Sequence, residues 1–264
     1  MKIGIIGCGN IGSTLARKFA KAGHSLRIAN SRGPETLKDL AQETGAKAMT
    51  AQETTQDVDV VILSIPFGKL PLLKELFIRL PHEVVVADTS NYFPFRDGQI
   101  PEVDSGQVES LWVSEQIGHP VIKAWNNILS LSLADKGLPA GAEGRIALPV
   151  AGDDPVAKKT IMSLVEDTGF DAIDCGPLAE SWRQQPITGA YCTELTRSEL
   201  QKALAVPTVP VPHSGASRWS RSSWLSATVS RPRTSSVCTG PRALKAGSVA
   251  TPNENKISDA YRRR

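Results

Sequence analysis

The chain has few of the residues that commonly carry proton transfer or metal chemistry. Its 264 residues include only 4 cysteines and 4 histidines. No HExxH, CxxC or DxDxDG spacing occurs, which argues against metal-assisted chemistry, and no GxSxG elbow marks a serine nucleophile. No apolar run approaches the roughly 20 residues needed to cross a bilayer. The chain opens directly on an apolar strand with no stretch resembling a signal peptide, so a cytoplasmic protein with no membrane partner is expected. Cys8, Cys175, Cys192 and Cys238 form no paired framework, and reduced thiols are the default reading. His24 follows a helix stop, His82 sits in a turn and His213 lies far toward the C-terminus. His119 is either a surface loop residue before Pro120 or the one histidine that approaches a site.

What the chain does have is a hydrophobic content of 41%, enough for a packed core, and a net charge of +3 that hides an asymmetry. Residues 206–264 carry 10 Lys and Arg against 2 Asp and Glu, so the preceding 205 residues are acidic overall. That last segment also holds 11 Ser and 6 Pro and shows neither helical nor strand periodicity. A low-order basic tail is expected there. It has no lysine cluster or aromatic interleaving to suggest a nucleic-acid partner, and the abrupt change is what translation in a shifted reading frame would give.

The most informative stretch is KIGIIGCGNIG at residues 2–12. A short apolar strand runs into Gly7-Cys8-Gly9-Asn10-Ile11-Gly12 and then into a helix reaching about Ala22. Gly7 suits the tight turn, Gly9 lets backbone approach a pyrophosphate, and Gly12 lets the helix pack on the strand. The pyrophosphate then rests on the helix N-terminus, where free N–H groups and the dipole favour negative charge. Cys8 lies inside that turn, either as a thiol whose pKa the helix lowers or as a small tolerated side chain. After the second strand, at residues 25–29, an NAD-preferring site would usually place Asp or Glu on the ribose. Here the chain reads Asn30-Ser31-Arg32. A guanidinium and a hydroxyl hold a 2′-phosphate that a carboxylate would repel, so NADP(H) is the expected cofactor.

Strand and helix patterns then alternate. Strands are expected at 46–49, 58–65, 83–88, 120–124, 145–150 and 170–174, and helices at 34–45, 70–80, 108–117, 155–168 and 196–204. Residues 91–107, rich in turn formers, are expected to form a mobile loop. The alternation predicts an α/β Rossmann fold, a doubly wound parallel sheet, with a smaller C-terminal lobe and a disordered tail. Residues 1–140 would bind NADP(H), 141–205 would form the small lobe and 206–264 the tail. Ligands of such sheets sit beyond the carboxyl ends of the strands. That rule makes Ser64-Ile65-Pro66-Phe67, Asp88-Thr89-Ser90-Asn91 and Trp125-Asn126-Asn127 the candidate walls of the nicotinamide pocket. Phe67, Asn126 and Asn127 are the candidate substrate contacts. Asp88 is a candidate base by its place alone, and otherwise an exposed or capping residue. No convincing acid or base emerges, which suits hydride transfer between stacked rings, where position matters more than proton movement.

The stretches IGCGNIGSTLARKFAKAGHSLRIANSRGPETL, VVILSIPF, VIKAWNNI and AGDDPVAKKTIMSLVEDTGFDAIDCGPL resemble the NADPH-dependent coenzyme F420 reductase family, also called F420H2:NADP+ oxidoreductase. The resemblance covers residues 1 to about 204. It implies a Rossmann domain with a small C-terminal domain, a homodimer, and hydride transfer between NADP(H) and a deazaflavin, coenzyme F420, as substrate. By motif match, Cys8, Asn10 and Ile11 would contact the pyrophosphate, Ser31 and Arg32 the 2′-phosphate, and Ile65 and Pro66 the nicotinamide side. A small-molecule redox acceptor is the expected partner. A flavin, a quinone or a small imine are alternative acceptors, a pyrroline-carboxylate-reductase-like imine reductase is a related reading, and a non-catalytic NADP(H)-binding redox sensor is an alternative of a different class.

Overall fold

The computed structural model describes residues 1–206. Residues 207–264, which hold most of the expected tail together with His213 and Cys238, lie outside the described residues. The first strand, β1 (Lys2–Ile6), is the centre of a six-stranded sheet. With β2 (Ser25–Ala29), β3 (Lys47–Ala48), β4 (Val60–Leu63), β5 (Val85–Asp88) and β6 (Ile122–Lys123) it runs in the order β3-β2-β1-β4-β5-β6. Every pairing in that sheet is parallel. This is the doubly wound Rossmann arrangement that the alternating pattern predicts.

Parallel strands covered on both faces need apolar residues at nearly every position, and β4, with all four residues buried, shows it. Alternate residues enter opposite cores: Ile3, Ile5, Val60 and Ile62 pack on one face, Ile6, Val61 and Leu63 on the other. Helix α1 (Asn10–Lys21) covers the first face with Leu15, Ala16 and Phe19. After a 3-10 turn at Pro34–Leu37 come α2 (Lys38–Thr44), stopped by Gly45 at φ 69, and α3 (Ala51–Thr54), opened by a Thr50–Glu53 capping box.

Two sequence expectations change on the second face. The helix expected at 70–80 is a 3-10 segment, Phe67–Leu73, followed by a single turn, α4 (Lys74–Phe77). Pro71 explains it, because it supplies no N–H and disfavours α geometry at the residue before it. The mobile loop expected at 91–107 is instead tied down as two turns, α5 (Pro94–Asp97) and α6 (Pro101–Asp104), each opened by its proline. Tyr92 is fully buried between them, its hydroxyl 3.0 Å from Gly98 O and Asp104 Oδ1 while accepting Ile100 N–H. Helix α7 (Glu109–Ile117) then leads to β6, which is shorter than the expected 120–124.

Beyond α8 (Ser130–Asp135), a second parallel pair is formed by β7 (Ala147–Val150) and β8 (Asp171–Asp174), joined by α9 (Pro155–Asp167). Asp154 caps α9 by accepting Val156 N–H and Ala157 N–H at 2.7 and 3.0 Å. The pair meets the main sheet through an antiparallel bridge, Lys123 to Ala151. A 3-10 segment at Leu178–Gln184 and a last helix, α10 (Arg197–Ala205), complete the described chain. Glu199 reaches back to the Thr196 N–H at 2.9 Å and completes a capping box. Among the described residues no helix is long and apolar enough to cross a membrane.

Candidate cofactor and acceptor site

Register brings the strand exits onto one edge. Ile6 pairs with Ala29 and with Leu63, Leu63 with Asp88, and Asp88 with Lys123. The loops that follow all open on the carboxyl side, where the strand order reverses around β1, the position at which such sheets take ligands.

Each glycine of the first loop has its own structural requirement. Gly7 stands at φ 101, and a Cβ there would lie 2.2 Å from Ser64 O. A Cβ on Gly12 would lie 1.9 Å from Gly7 O. Both are demanded by the protein's own packing. Gly9 is different: its backbone is ordinary, at φ −78 and ψ −159, and a Cβ would meet nothing within 4 Å. The fold does not need glycine at this exposed position, so the open space beside it is where a ligand would pass. Directly after it α1 begins with no side-chain cap and no acidic residue in its first turn. The unpaired N–H groups of Asn10 and Ile11 are therefore available to an anion.

Cys8 departs from one of its sequence readings. It is half-buried, its thiol 3.6 Å from Ala29 O, and burial pushes its pKa up to about 11. Desolvation outweighs the helix N-terminus here, so Cys8 is the small packed side chain and no reactive thiolate.

At the end of β2, Asn30 Oδ1 accepts the Arg32 N–H at 2.9 Å and Asn30 Nδ2 donates to Thr36 Oγ1 at 2.8 Å. Thr36 in turn donates to Gly33 O at 2.8 Å, and Gly33 takes φ 97. These bonds shape the loop and leave Ser31 and Arg32 exposed. The Glu35 carboxylate lies over Gly33, where a Cβ would come within 2.4 Å of it. This acid belongs to the following turn and not to the β2 end, where a ribose-binding carboxylate would stand.

The exits of β4 and β5 face the other half of the cleft. Ile65 is half-buried and Pro66 exposed. Phe67 turns inward and is fully buried, its ring stacked on Trp112 with centroids 4.7 Å apart. Asn126 and Asn127 are also buried. Asn126 Nδ2 donates to Asn91 Oδ1 at 2.9 Å and to Gln184 O at 2.8 Å, and Asn127 Nδ2 donates to Ala190 O at 3.1 Å. Phe67 and the two asparagines are thus turned into the interior, contrary to the expectation that they are substrate contacts.

Asp88 is neither exposed nor a free base. It is fully buried, and Lys123 Nζ, also at 0% exposure, donates to its Oδ2 at 2.7 Å. Its Oδ1 accepts the Ser90 N–H at 2.9 Å. Lys123 gave no signal in the sequence, because it sits 35 residues away inside an apolar strand. His119 is also corrected: it is buried at 4% exposure, bonded through Nδ1 to Pro120 O, and lies at the amino end of β6, away from the ligand edge. His24 bonds Asp167 at 3.0 Å and lies before β2, also at the amino end. Among the described residues no histidine reaches the cleft.

One backbone feature was invisible in the sequence. Trp125, fully buried, stands at φ 55, a region costly for a bulky residue, by about 1–3 kcal/mol. Its indole Nε1 donates to Thr168 Oγ1 at 3.3 Å and its ring meets Phe19 edge-on at 5.9 Å.

Residues 2–92, which contain the glycine turn, the Ser31-Arg32 loop and the exits of β4 and β5, match the family described as NADP oxidoreductase, coenzyme F420-dependent. A solved structure, the protein SMa0349 of Sinorhizobium meliloti, is 30% identical to the chain, with a TM-score of 0.64, covering 75% of this chain and 96% of that one. The chain belongs to this family. A protein of Arthrobacter sp. FB24 described as an F420-dependent NADP reductase shares the fold at 22% identity and a TM-score of 0.58, covering 69% of this chain and 87% of that one. The Escherichia coli K12 protein YjhV is 50% identical over 66 residues, 25% of this chain and 48% of its own length. The chain therefore matches about half the length of that curated relative.

Within the family's fold the residues present fit a phosphorylated dinucleotide. The open space at Gly9 and the uncapped, acid-free first turn of α1 suit a pyrophosphate. The exposed Arg32, with no carboxylate at the β2 end, suits a 2′-phosphate.

Proposed function

We propose that this family member is an NADP(H)-dependent oxidoreductase that passes hydride between NADP(H) and a deazaflavin, coenzyme F420, or an acceptor of similar ring chemistry. When bound, NADP(H) supplies or accepts the hydride. The chain's own contribution is to bind and orient. The first turn of α1 takes the pyrophosphate, Ser31 and Arg32 take the 2′-phosphate, and Ile65 and Pro66 bound the ring side of the cleft. The observation that carries the reading is the fate of Asp88. Asp88, the carboxylate that ends β5, is fully buried and paired with Lys123 and so is no free base, and the reading asks only that the chain hold its reactants in place. That is enough for hydride transfer, in which the barrier is lowered by placing two rings in contact.

A homodimer, from the family resemblance, and a cytoplasmic location are part of the same proposal. The test is NADPH oxidation by the full-length protein against coenzyme F420, flavin, quinone and cyclic-imine acceptors. Turnover with F420 and none with the imines supports the reading. Turnover with imines alone moves the chain to imine reduction, and tight NADPH binding without any turnover makes it a sensor of the cofactor.

A further inference from the structure

The latch between β5 and β6 is where the structure goes beyond its cofactor loops. Pairing there is short: β1 and β2 align over five residues and β4 and β5 over four, whereas β5 and β6 share only Ala87–Ile122 and Asp88–Lys123. The β2–β3 edge is equally short, but this one is cross-braced by side chains. Lys123 Nζ donates both to Asp88 Oδ2 and to Ser90 O, while Asp88 Oδ1 takes the Ser90 N–H. One step further out, Asn91 Nδ2 donates to Asn126 O at 2.8 Å and Asn126 Nδ2 returns a bond to Asn91 Oδ1 at 2.9 Å. The left-handed turn at Trp125 is what brings Asn126 back to meet Asn91.

A fully buried ion pair is a poor device for stability alone, since an apolar pair of similar volume often serves as well. Its distinctive property is direction: it fixes where the two strand exits lie relative to each other. We propose that Lys123 and Asp88 are positioning residues, and that their pair, continued by Asn91 and Asn126, sets the acceptor-side wall of the cleft. The inference rests on the hydride-transfer reading for its kinetic consequence. The bonds of the latch run among the β5 exit, the β6 exit and Gln184, and none involves the glycine turn or the Ser31-Arg32 loop. Loosening it should therefore disturb transfer while sparing cofactor affinity.

The test uses the full-length protein, the apolar double variant Asp88→Leu/Lys123→Met, and Asn91→Ala. Three quantities are read: NADPH affinity by fluorescence, the single-turnover rate with coenzyme F420, and amide hydrogen exchange by mass spectrometry. The expected result is a Kd within about 3-fold of wild type and a transfer rate lowered about 10- to 100-fold, the scale of an ångström-sized misplacement. Exchange should quicken in peptides spanning 88–92 and 123–127 and stay unchanged in 25–36. Unchanged rate and exchange would overturn the latch, as would equal losses in affinity and rate. If the double variant does not fold, Asn91→Ala decides by the same criteria. Should wild-type protein pass no hydride to F420, the functional reading fails separately, and the exchange experiment alone judges the latch.

Discussion

Replacing Gly9 with alanine should separate what the cofactor requires from what the fold requires. The backbone at Gly9 is open to any residue and an added Cβ meets nothing within 4 Å. Stability should therefore stay unchanged or rise by up to about 1 kcal/mol, because alanine stiffens the unfolded chain. For a domain of this size that is a melting shift within about 4 °C. Binding should behave differently, because the methyl group would occupy the approach of the pyrophosphate to the first turn of α1. Losing one charge-assisted N–H bond costs about 1.5–3 kcal/mol, which raises the NADPH Kd by about 10- to 150-fold. Gly12→Ala is the contrasting case, since its Cβ would lie 1.9 Å from the backbone oxygen of Gly7, which cannot move aside without shifting the turn. Overpacking of that kind costs about 1–3 kcal/mol, or about 2–12 °C. Thermal melts and fluorescence titration of both variants check the pair. Wild-type NADPH affinity in Gly9→Ala, or identical melts for the two variants, would refute the reasoning.

Two further outcomes follow from the same loops. Arg32→Ala should weaken NADPH by about 1.5 kcal/mol, the lower end for a bond to a charged group because the side chain is exposed, or about 10-fold, with NADH affinity unchanged. Equal losses for both cofactors would remove Arg32 from the 2′-phosphate. Cys8, whose thiol burial lifts from 9.0 to about 11, should alkylate with iodoacetamide at pH 8 about 100-fold more slowly than in denatured protein, read by mass spectrometry. The fold favours the protonated thiol, so the stability linked to it is complete below pH 9 and is lost as the pH rises through about 11. Rapid labelling at pH 8 would contradict this.

Local sequence carried the parts of this protein that local chemistry decides. The glycine turn, the helix caps at Asp154 and Thr196, and the apolar runs of β1 and β4 are each determined within a few residues, and they were legible as such. At 70–80 the apolar spacing suggests a regular helix, and the missing N–H of Pro71 makes it a 3-10 segment. Tyr92 shows a different limit, since turn formers at 91–107 suggested a loose loop, and one buried hydroxyl organises it. The Asp88–Lys123 pair lay beyond sequence reasoning altogether. Asp88 reads as a strand-end acid and Lys123 gives no local signal, and only the register of β5 on β6 brings them together. Similarly, Asn126 and Asn127 follow β6 at a strand exit, but nothing local shows that their side chains bond inward.

The central claim is that these loops hold NADP(H) for direct hydride transfer. It is tested most directly with NADPH carrying deuterium at the nicotinamide C4, mixed with the full-length protein and coenzyme F420, with the products analysed by mass spectrometry. The account predicts deuterium in the reduced deazaflavin and transfer from NADH at least about 10-fold slower at matched subsaturating concentrations, from the loss of the 2′-phosphate contact. Absence of label in the deazaflavin, or equal transfer from both cofactors, would contradict it.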